Sequence, residues 1–193
     1  RKSTRFYTNS IVGEVKKATE AEMLIKLEDS KAVLVSYHSD DPNVGMSLTQ
    51  DISKYKLFVS DIGLFVTMVF WDKDFAENII YQKLLADKLE ANLGYIYENL
   101  MAQMLTAAGN RLFYYTFEKD EKHSYEVDFL LSRGNKICPI EVKSSGYKSH
   151  TSLDAFRAKY SSRIKNSYLF YTKDFMVGDN EMIYMPFYIA GLI

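Results

Sequence analysis

The stretch LFYYTFEKDEKHSYEVDFLLSRGNKICPIEVK, residues 112–143, decides the fold that the sequence predicts. It contains three apolar runs of strand-like length and composition, at 112–117, 125–132 and 136–143. The last two runs are separated by Arg133-Gly134-Asn135, and a short connection that contains glycine indicates a β-hairpin. The stretch therefore predicts three consecutive strands, of which the last two are antiparallel.

Helical patterns flank these strands on both sides. Residues 91–109 form a long apolar helical stretch that ends at Gly109, where a helix C-cap is expected, and residues 152–164 are amphipathic with helical spacing. Strand-like runs follow at 167–172 and 183–188. The order helix, three strands, helix, strand predicts an α/β fold with a mixed sheet flanked by helices.

The first third of the chain carries no chemical motif. We predict an amphipathic helix at 14–28, strands at 32–37 and 56–61, and a second helix from Phe75 to about Lys88. The intervening residues 38–45 have the composition of a turn.

Composition excludes several classes of protein. The 193 residues include 47% hydrophobic residues, enough for one domain with an appendage or for two small domains. The single cysteine, Cys138, excludes an internal disulfide framework and a multi-cysteine zinc site. The net charge of −1 is not that of a polycation that coats nucleic acid. No apolar run approaches the ~20 residues that span a bilayer, so we expect no membrane association and a cytoplasmic location.

Charged residues at the end of the hairpin form the candidate site. Strict period-two alternation places Glu126, Asp128 and Leu130 on one face of their strand, and Glu141 and Lys143 together on one face of the next strand. Where the register matches, Asp128 lies beside Glu141. Two adjacent carboxylates repel each other unless they share a cation, and Mg²⁺ or Mn²⁺ is the natural partner of oxygen ligands. Lys143 would then orient a water molecule or neutralise charge on a phosphate.

A third acid comes from the long apolar helix, where Glu98 is surrounded by nonpolar residues. An unpaired buried carboxylate is costly, so Glu98 requires a partner, either a metal ion or Lys143. The alternative for Asp128, Glu141 and Lys143 is a structural ion pair on a solvated face of the sheet.

Glu98, Asp128 and Glu141-Val142-Lys143, in this order, resemble the signature of the PD-(D/E)XK nucleases. The predicted elements are similar to the αβββαβ core of that restriction-endonuclease-like fold. The phrases KLFVSDIGLF, NLGYIYENLMAQML, YEVDFLL, PIEVKSS and SLDAFRAKY closely resemble a domain of unknown function at the C-terminal end of many prokaryotic AAA-type P-loop ATPases. The resemblance implies a nuclease-like domain at 51–193, preceded at 1–50 by the end of a winged-helix-like segment.

The resemblance implies Mg²⁺-dependent hydrolysis of a phosphodiester, with DNA as the substrate. Asp128 and Glu141 would bind the metal, Glu98 would be a further ligand or orient the water, and Lys143 would stabilise the developing charge. The chain has no P-loop motif and hence no ATP site, so the ATPase domain of the same longer protein is an expected partner. Nuclease-like folds often lose catalysis, and a silent module that docks the ATPase to nucleic acid or protein is the alternative. Whether the chain is an enzyme, and whether it forms a homo-oligomer, stays open.

Basic residues follow the site along the chain. Lys148, Arg157 and Lys159 lie in a stretch from 143 to 165 that carries six basic residues and one acidic residue. Such a strip attracts a phosphate backbone, and we predict that these three residues bind nucleic acid. A solvated helix face explains the same charges and is the alternative.

Overall fold

The computed structural model describes residues 5–7, 17–69, 94–178 and 181–193. Within these residues, nine strands form one mixed sheet. The strands are β1 (Arg5–Tyr7), β2 (Val33–Ser39), β3 (Gln50–Val59), β4 (Phe113–Asp120), β5 (His123–Arg133), β6 (Lys136–Val142), β7 (Ser167–Tyr171), β8 (Met176–Val177) and β9 (Met182–Pro186). The protein is thus a mixed α/β structure.

Helices cover both faces of the sheet. The described α-helices are α1 (Lys17–Asp29), α2 (Ile62–Val69), α3 (Gly94–Ala107) and α4 (Thr151–Tyr160). A 3₁₀ turn at Phe187–Leu192 closes the C-terminal end. Among the described helices, none combines the length and the apolar character needed to cross a membrane.

The strands lie in the order β1-β3-β2-β4-β5-β6-β7-β9-β8. Strands β4, β5 and β6 form an antiparallel meander at the centre, in which the pair β5–β6 is the predicted hairpin. Parallel pairs flank it, β2 with β4 on one side and β6 with β7 on the other. The predicted order helix, three strands, helix, strand is confirmed by α3, β4–β6, α4 and β7.

The N-terminal strands belong to this same sheet. Strand β2 precedes the predicted domain boundary at residue 50, and it pairs on both sides with strands from beyond it, β3, which begins at the boundary, and β4. That boundary and the winged-helix character of residues 1–50 stay predictions. The helix predicted from Phe75 to about Lys88 lies outside the described residues.

The core has two layers, one on each face of the sheet. On one face, α3 contributes Met101, Ala102 and Leu105, all fully buried, together with Phe187 and Ala190 of the C-terminal 3₁₀ turn. On the other face, α1 and α4 pack through side chains that include Leu24, Leu153 and Phe156. The apolar side of each helix is thus the side that packs on the sheet.

Candidate functional site

The site lies where strands β5 and β6 separate. Their register runs from Arg133↔Lys136 to Phe129↔Ile140. Beyond Phe129, β5 continues alongside β4, whereas β6 continues beside β7 to Val142↔Phe170. The two strands form a fork, and Asp128 is the first residue of β5 beyond its last pair with β6.

Asp128 bridges the fork with its side chain. Its Oδ2 accepts a hydrogen bond from the backbone N–H of Val142 at 2.8 Å. Continuing the register by one residue places Asp128 opposite Glu141, which is the pairing that the sequence predicted on condition of register. The carboxylate thus accepts a hydrogen bond from a strand N–H in place of a backbone carbonyl, and this bond holds Asp128 at the end of β6.

A β-bulge at this point breaks the predicted alternation of β5. Phe113 pairs with Leu130 and Tyr115 pairs with Val127, so two residues of β4 span three of β5. As a result Val127 and Phe129, which strict alternation puts on one face, pack in different layers, Val127 on the α4 side and Phe129 on the α3 side. The strict period-two prediction for this strand was wrong, because the extra residue shifts every side chain beyond it.

Glu141 is the most buried carboxylate of the site, with 8% of its side chain exposed. Its Oε1 lies 2.7 Å from Nζ of Lys143, whose side chain is 26% exposed. Among the described residues, Glu141 Oε2 has no hydrogen-bond partner although it is buried. Burial raises the pKa of the Glu141 carboxyl above its ordinary value, and Lys143 and Lys56 offset this only in part.

Asp128 shares this lack of compensation. Burial raises the pKa of the Asp128 carboxyl well above its ordinary value, and the negative charges of Glu141 and Glu98 raise it further. Lys56 acts in the opposite direction but does not cancel the shift. The two carboxyl groups at the fork are therefore harder to ionise than ordinary ones, and a nearby cation would favour their charged form.

Glu98 forms an ion pair that the sequence did not predict. It lies on α3, and its Oε2 is 3.6 Å from Nζ of Lys56. Of its two predicted partners, a metal ion stays a prediction, and no ion pair with Lys143 is found among the described residues. The neighbouring Asn99, 1% exposed, fixes this helix to the sheet. Its amide accepts from the N–H of Val59 and donates to the carbonyl of Val59, both at 2.8 Å. Glu98 is thus positioned by an anchor one residue away.

Lys56 is the site residue that the sequence reasoning missed. It lies in β3, is fully buried, and its Nζ is 2.5 Å from Oε1 of Glu126. Burial alone would lower the pKa of Lys56, but the carboxylates of Glu98, Glu126 and Asp128 outweigh burial and raise it. The available signal was the alternation in KLFVSD, which places the lysine on the same strand face as Phe58.

The arrangement offers oxygen ligands at one place and a fixed ammonium at another. Within the described parts of the chain, no group of three histidine, cysteine or acidic side chains is arranged to hold a metal ion. Mg²⁺ is commonly held by one or two carboxylates and completes its shell with water and substrate oxygens. Asp128 and Glu141 fit that smaller ligand set, and the unpartnered Oε2 of Glu141 is an oxygen that a cation would satisfy.

The residues predicted to bind nucleic acid lie on the α4 side of the molecule. Lys148 is exposed in the loop between β6 and α4, and Arg157 and Lys159 are on α4 itself. The Lys159 ammonium lies over the rings of Phe117 and Tyr160, at 5.3 and 5.4 Å from their centroids. The structure thus joins Lys148 to the site through a short loop and places the other two on the adjoining helix.

Comparison with known proteins identifies a family. The profile of a domain of unknown function, DUF4143, matches residues 93–189, which is half of the chain. The match includes Glu98, Asp128, Glu141 and Lys143 and excludes Lys56. No curated protein and no solved structure matches the chain. The chain belongs to the DUF4143 family of domains of unknown function.

Proposed function

We propose that this domain hydrolyses phosphodiester bonds in DNA with the help of Mg²⁺ or Mn²⁺, on a core of the restriction-endonuclease-like type. The observation that carries the proposal is the fork, where Asp128 and the buried Glu141 lie at the ends of separating strands and Glu141 Oε2 lacks a partner. A buried oxygen without a partner is costly, and a cation at this place would remove the cost.

Asp128 and Glu141 would hold the metal ion. When bound, a divalent cation polarises the phosphoryl oxygen and lowers the pKa of a bound water molecule. The Val142 N–H keeps the Asp128 carboxylate in one orientation, and the ion pair with Lys143 does the same for Glu141. Both ligands are therefore oriented by this chain before any ion arrives.

Lys143 is suited to stabilise the reacting phosphate. Its ammonium is fixed 2.7 Å from Glu141 Oε1, yet 26% of the side chain is exposed, so it is accessible to a ligand from solvent. In hydrolysis a water oxygen forms a bond to phosphorus and loses a proton to solvent, the bond to the leaving oxygen breaks and that oxygen takes up a proton, and negative charge accumulates meanwhile on the phosphoryl oxygens. A positioned ammonium stabilises that charge. For Glu98, the ion pair with Lys56 favours the role of orienting water over that of a ligand.

The basic residues Lys148 and Lys159, which are exposed, and Arg157, which is half-buried, would hold the DNA backbone next to Lys143. We place the domain in a longer cytoplasmic protein whose ATPase domain is its partner, because several phrases of the sequence resemble the C-terminal part of such ATPases. ATP hydrolysis would then be the work of that partner domain.

The second candidate is a catalytically silent docking module of the parent ATPase. The observation in its favour is Lys56, which engages Glu98 and Glu126 in ion pairs and leaves fewer carboxylates for metal ions. This candidate predicts no stabilisation by divalent ions, because a ligand that binds only the folded state must raise the melting temperature.

Cleavage assays on single-stranded DNA, duplex DNA and RNA with Mn²⁺ or Mg²⁺ test the proposal. We expect DNA cleavage by the native chain and at least a ~100-fold loss in Asp128→Asn and in Lys143→Gln. Asparagine retains an oxygen that accepts from the Val142 N–H, so Asp128→Asn should fold. Lys122→Gln, in the exposed turn between β4 and β5, is the matched control and should cleave at the native rate. Absence of cleavage together with no Mn²⁺-induced rise in melting temperature would favour the docking module.

A further inference from the structure

Three tyrosine rings form a cluster on the α4 side of the sheet. The cluster consists of Tyr147 in the loop between β6 and α4, Tyr171 at the end of β7, and Tyr184 in β9. The centroid of the Tyr147 ring lies 5.1 Å from that of Tyr171 and 6.3 Å from that of Tyr184. Tyr171 and Tyr184 are buried, whereas Tyr147 is half-buried. Tyr147 is therefore the member of the cluster that a molecule from solvent can reach.

The register of the sheet places this cluster next to Lys143. The parallel strands β6 and β7 pair as far as Val142↔Phe170, and the N–H of Lys143 donates to the carbonyl of Phe170 at 2.8 Å. The next residues on the two strands are Lys143 and Tyr171. Adjacent strands lie about 4.8 Å apart, and residues side by side on them share a face of the sheet. The tyrosine cluster thus begins one strand away from the lysine of the candidate site.

The two buried rings are held by polar contacts at their hydroxyl groups. The Tyr171 hydroxyl donates to the backbone carbonyl of Asp174. The Tyr184 hydroxyl lies 3.2 Å from Nε2 of His150. Nδ1 of His150 in turn lies 2.8 Å from Oδ2 of Asp154, on the first turn of α4. The half-buried third ring therefore rests on a support whose members are fixed in place.

Lysines border the Tyr147 ring. The exposed Lys148 follows it along the chain, and Nζ of the exposed Lys173 lies over the ring, 4.9 Å from its centroid. The loops 143–150 and 172–175 together carry three lysines and one carboxylate. An aromatic ring among lysines is the combination that binds single-stranded nucleic acid, because the ring stacks on a base and the lysines attract phosphates. Lys173 has a long, flexible side chain, so it can turn from the ring to a phosphate when a base takes its place.

We propose that Tyr147 is a platform on which an unpaired base of the DNA stacks, so that the domain prefers single-stranded DNA at Lys143. Inside a duplex, neighbouring bases cover both faces of each base, whereas a single strand can offer a base to the ring. The inference rests on the proposed function, because it takes DNA as the substrate. It concerns binding and does not depend on cleavage.

Fluorescence anisotropy with labelled DNA of about 12 nucleotides, in EDTA so that no cleavage occurs, tests this. We expect the native chain to bind the single strand at least ~10-fold more tightly than the duplex of the same sequence. Tyr147→Leu should weaken single-strand binding at least ~10-fold, whereas Tyr147→Phe, which keeps the ring, should stay within ~3-fold of the native chain. Equal affinity of the native chain for single strand and duplex would overturn the inference.

A strand of abasic sites separates stacking from charge, since it keeps the phosphates and has no bases. The native chain should bind it at least ~10-fold more weakly than the ordinary strand, a comparison that needs no variant to fold. Tyr147→Leu should bind the abasic strand as tightly as the native chain does. An equal loss in Tyr147→Leu on both strands would overturn the inference. Tyr188→Leu is the matched control, because Tyr188 is 76% exposed in the C-terminal 3₁₀ turn on the α3 side, and it should bind like the native chain.

The cleavage assay keeps this inference apart from the proposed hydrolysis. Selective binding of single strands without any cleavage in Mg²⁺ would contradict the hydrolysis and leave the inference standing. Cleavage of single strand and duplex at equal rates, unchanged in Tyr147→Leu, would overturn the inference and leave the hydrolysis standing. Neither binding nor cleavage of any of these DNAs would contradict both.

Discussion

Two lysine–glutamate pairs lie in the site, and they are buried in opposite senses. In the first pair the lysine is fully buried, and 21% of the Glu126 side chain is exposed. In the second pair the glutamate is the buried member, with 8% of the Glu141 side chain exposed against 26% for Lys143. The distances are nearly the same, 2.5 Å for Lys56–Glu126 and 2.7 Å for Lys143–Glu141.

The difference shows that distance alone does not tell what an ion pair does. When a pair loses its exposed member, the buried charge is left without a partner, which costs much more than leaving an exposed charge to water. The ammonium of Lys56 has two carboxylates near it, so its buried positive charge is compensated. For Glu141, burial raises the pKa of the carboxyl and Lys143 and Lys56 offset this only in part, so its charge is not fully compensated. The Lys56–Glu126 pair therefore stabilises the fold, and the Lys143–Glu141 pair is open to a ligand.

The largest effect is expected when the buried lysine loses its nearest partner. Glu126→Gln should lower the free energy of unfolding by about 3–5 kcal/mol, because the Lys56 ammonium stays buried and loses its contact at 2.5 Å. Of the other carboxylates, Glu98 lies 3.6 Å away, and Asp128 acts on the ammonium without a direct ion pair. Urea denaturation followed by circular dichroism measures this change.

The double variant Lys56→Met, Glu126→Gln is its control. Removing both members of a buried pair is often close to neutral, so the double variant should recover most of the lost stability. A double variant as unstable as Glu126→Gln alone would mean that the loss comes from packing and not from a stranded charge.

The next effect concerns the anchor that brings Glu98 to Lys56. Asn99→Ala leaves the N–H and the carbonyl of Val59 without their partners, each at 2.8 Å in the native protein. We expect a loss of about 2–4 kcal/mol, because each unsatisfied buried group costs about 1–3 kcal/mol and these two partly buried groups recover part of that from water. Gln103→Ala is the comparison variant, since its side chain accepts one partly buried hydrogen bond from Ile62. It should lose no more than about half as much, and equal losses would contradict the anchor role.

Much of the fold follows from local patterns in the sequence. The hairpin was predicted from Arg133-Gly134-Asn135, and Gly134 adopts φ +67°, a conformation that glycine reaches without strain. Gly109, the predicted end of the long helix, has φ +82°. Both positions depend on a few neighbouring residues, which explains why the sequence is sufficient there. The pairing of β2 with β4 depends on distant residues and could not be obtained in this way.

The site was predictable only in part, and for a similar reason. Asp128, Glu141 and Lys143 are separated by few residues, so the hairpin brings them together. The bulge beside Asp128 depends on how β5 pairs with β4, which no local pattern of β5 reveals. Lys56 was placed at the start of a short strand, where a charged residue is ordinary, whereas β3 begins at Gln50. Pairing of Lys56 with Arg5 and Ser36 on either side puts it in the sheet interior.

A change in the free energy of unfolding of opposite sign is expected at the Lys143–Glu141 pair. Glu141→Gln replaces a buried carboxylate with a neutral amide, and the partly exposed Lys143 remains accessible to water. We expect the free energy of unfolding without metal ions to rise by about 1 kcal/mol, since the cost of a buried charge is removed. The same urea experiment measures it. A loss of ~3 kcal/mol, as for Glu126→Gln, would mean that both ion pairs stabilise the fold, and the contrast between them would not hold.

The smallest effect concerns His38, a buried titratable group that has partners on both ring nitrogens. Its Nε2 accepts the N–H of Thr116 at 3.2 Å, and its Nδ1 lies 3.1 Å from Asp40. Burial lowers the pKa of His38, and Lys54 adds to this while Asp40 opposes it. The unfolded chain therefore binds a proton at this histidine more readily than the folded protein does. The free energy of unfolding thus falls as the pH drops from ~7.5 to ~5.5. In His38→Gln this decline should be shallower in urea denaturation, whereas His123→Gln, whose native side chain is 69% exposed, should keep the native slope. An unchanged slope in His38→Gln would mean that another buried group causes the loss of stability at low pH. The carboxylates of the fork are not that group, because a raised pKa in the folded protein makes stability rise, not fall, as the pH drops.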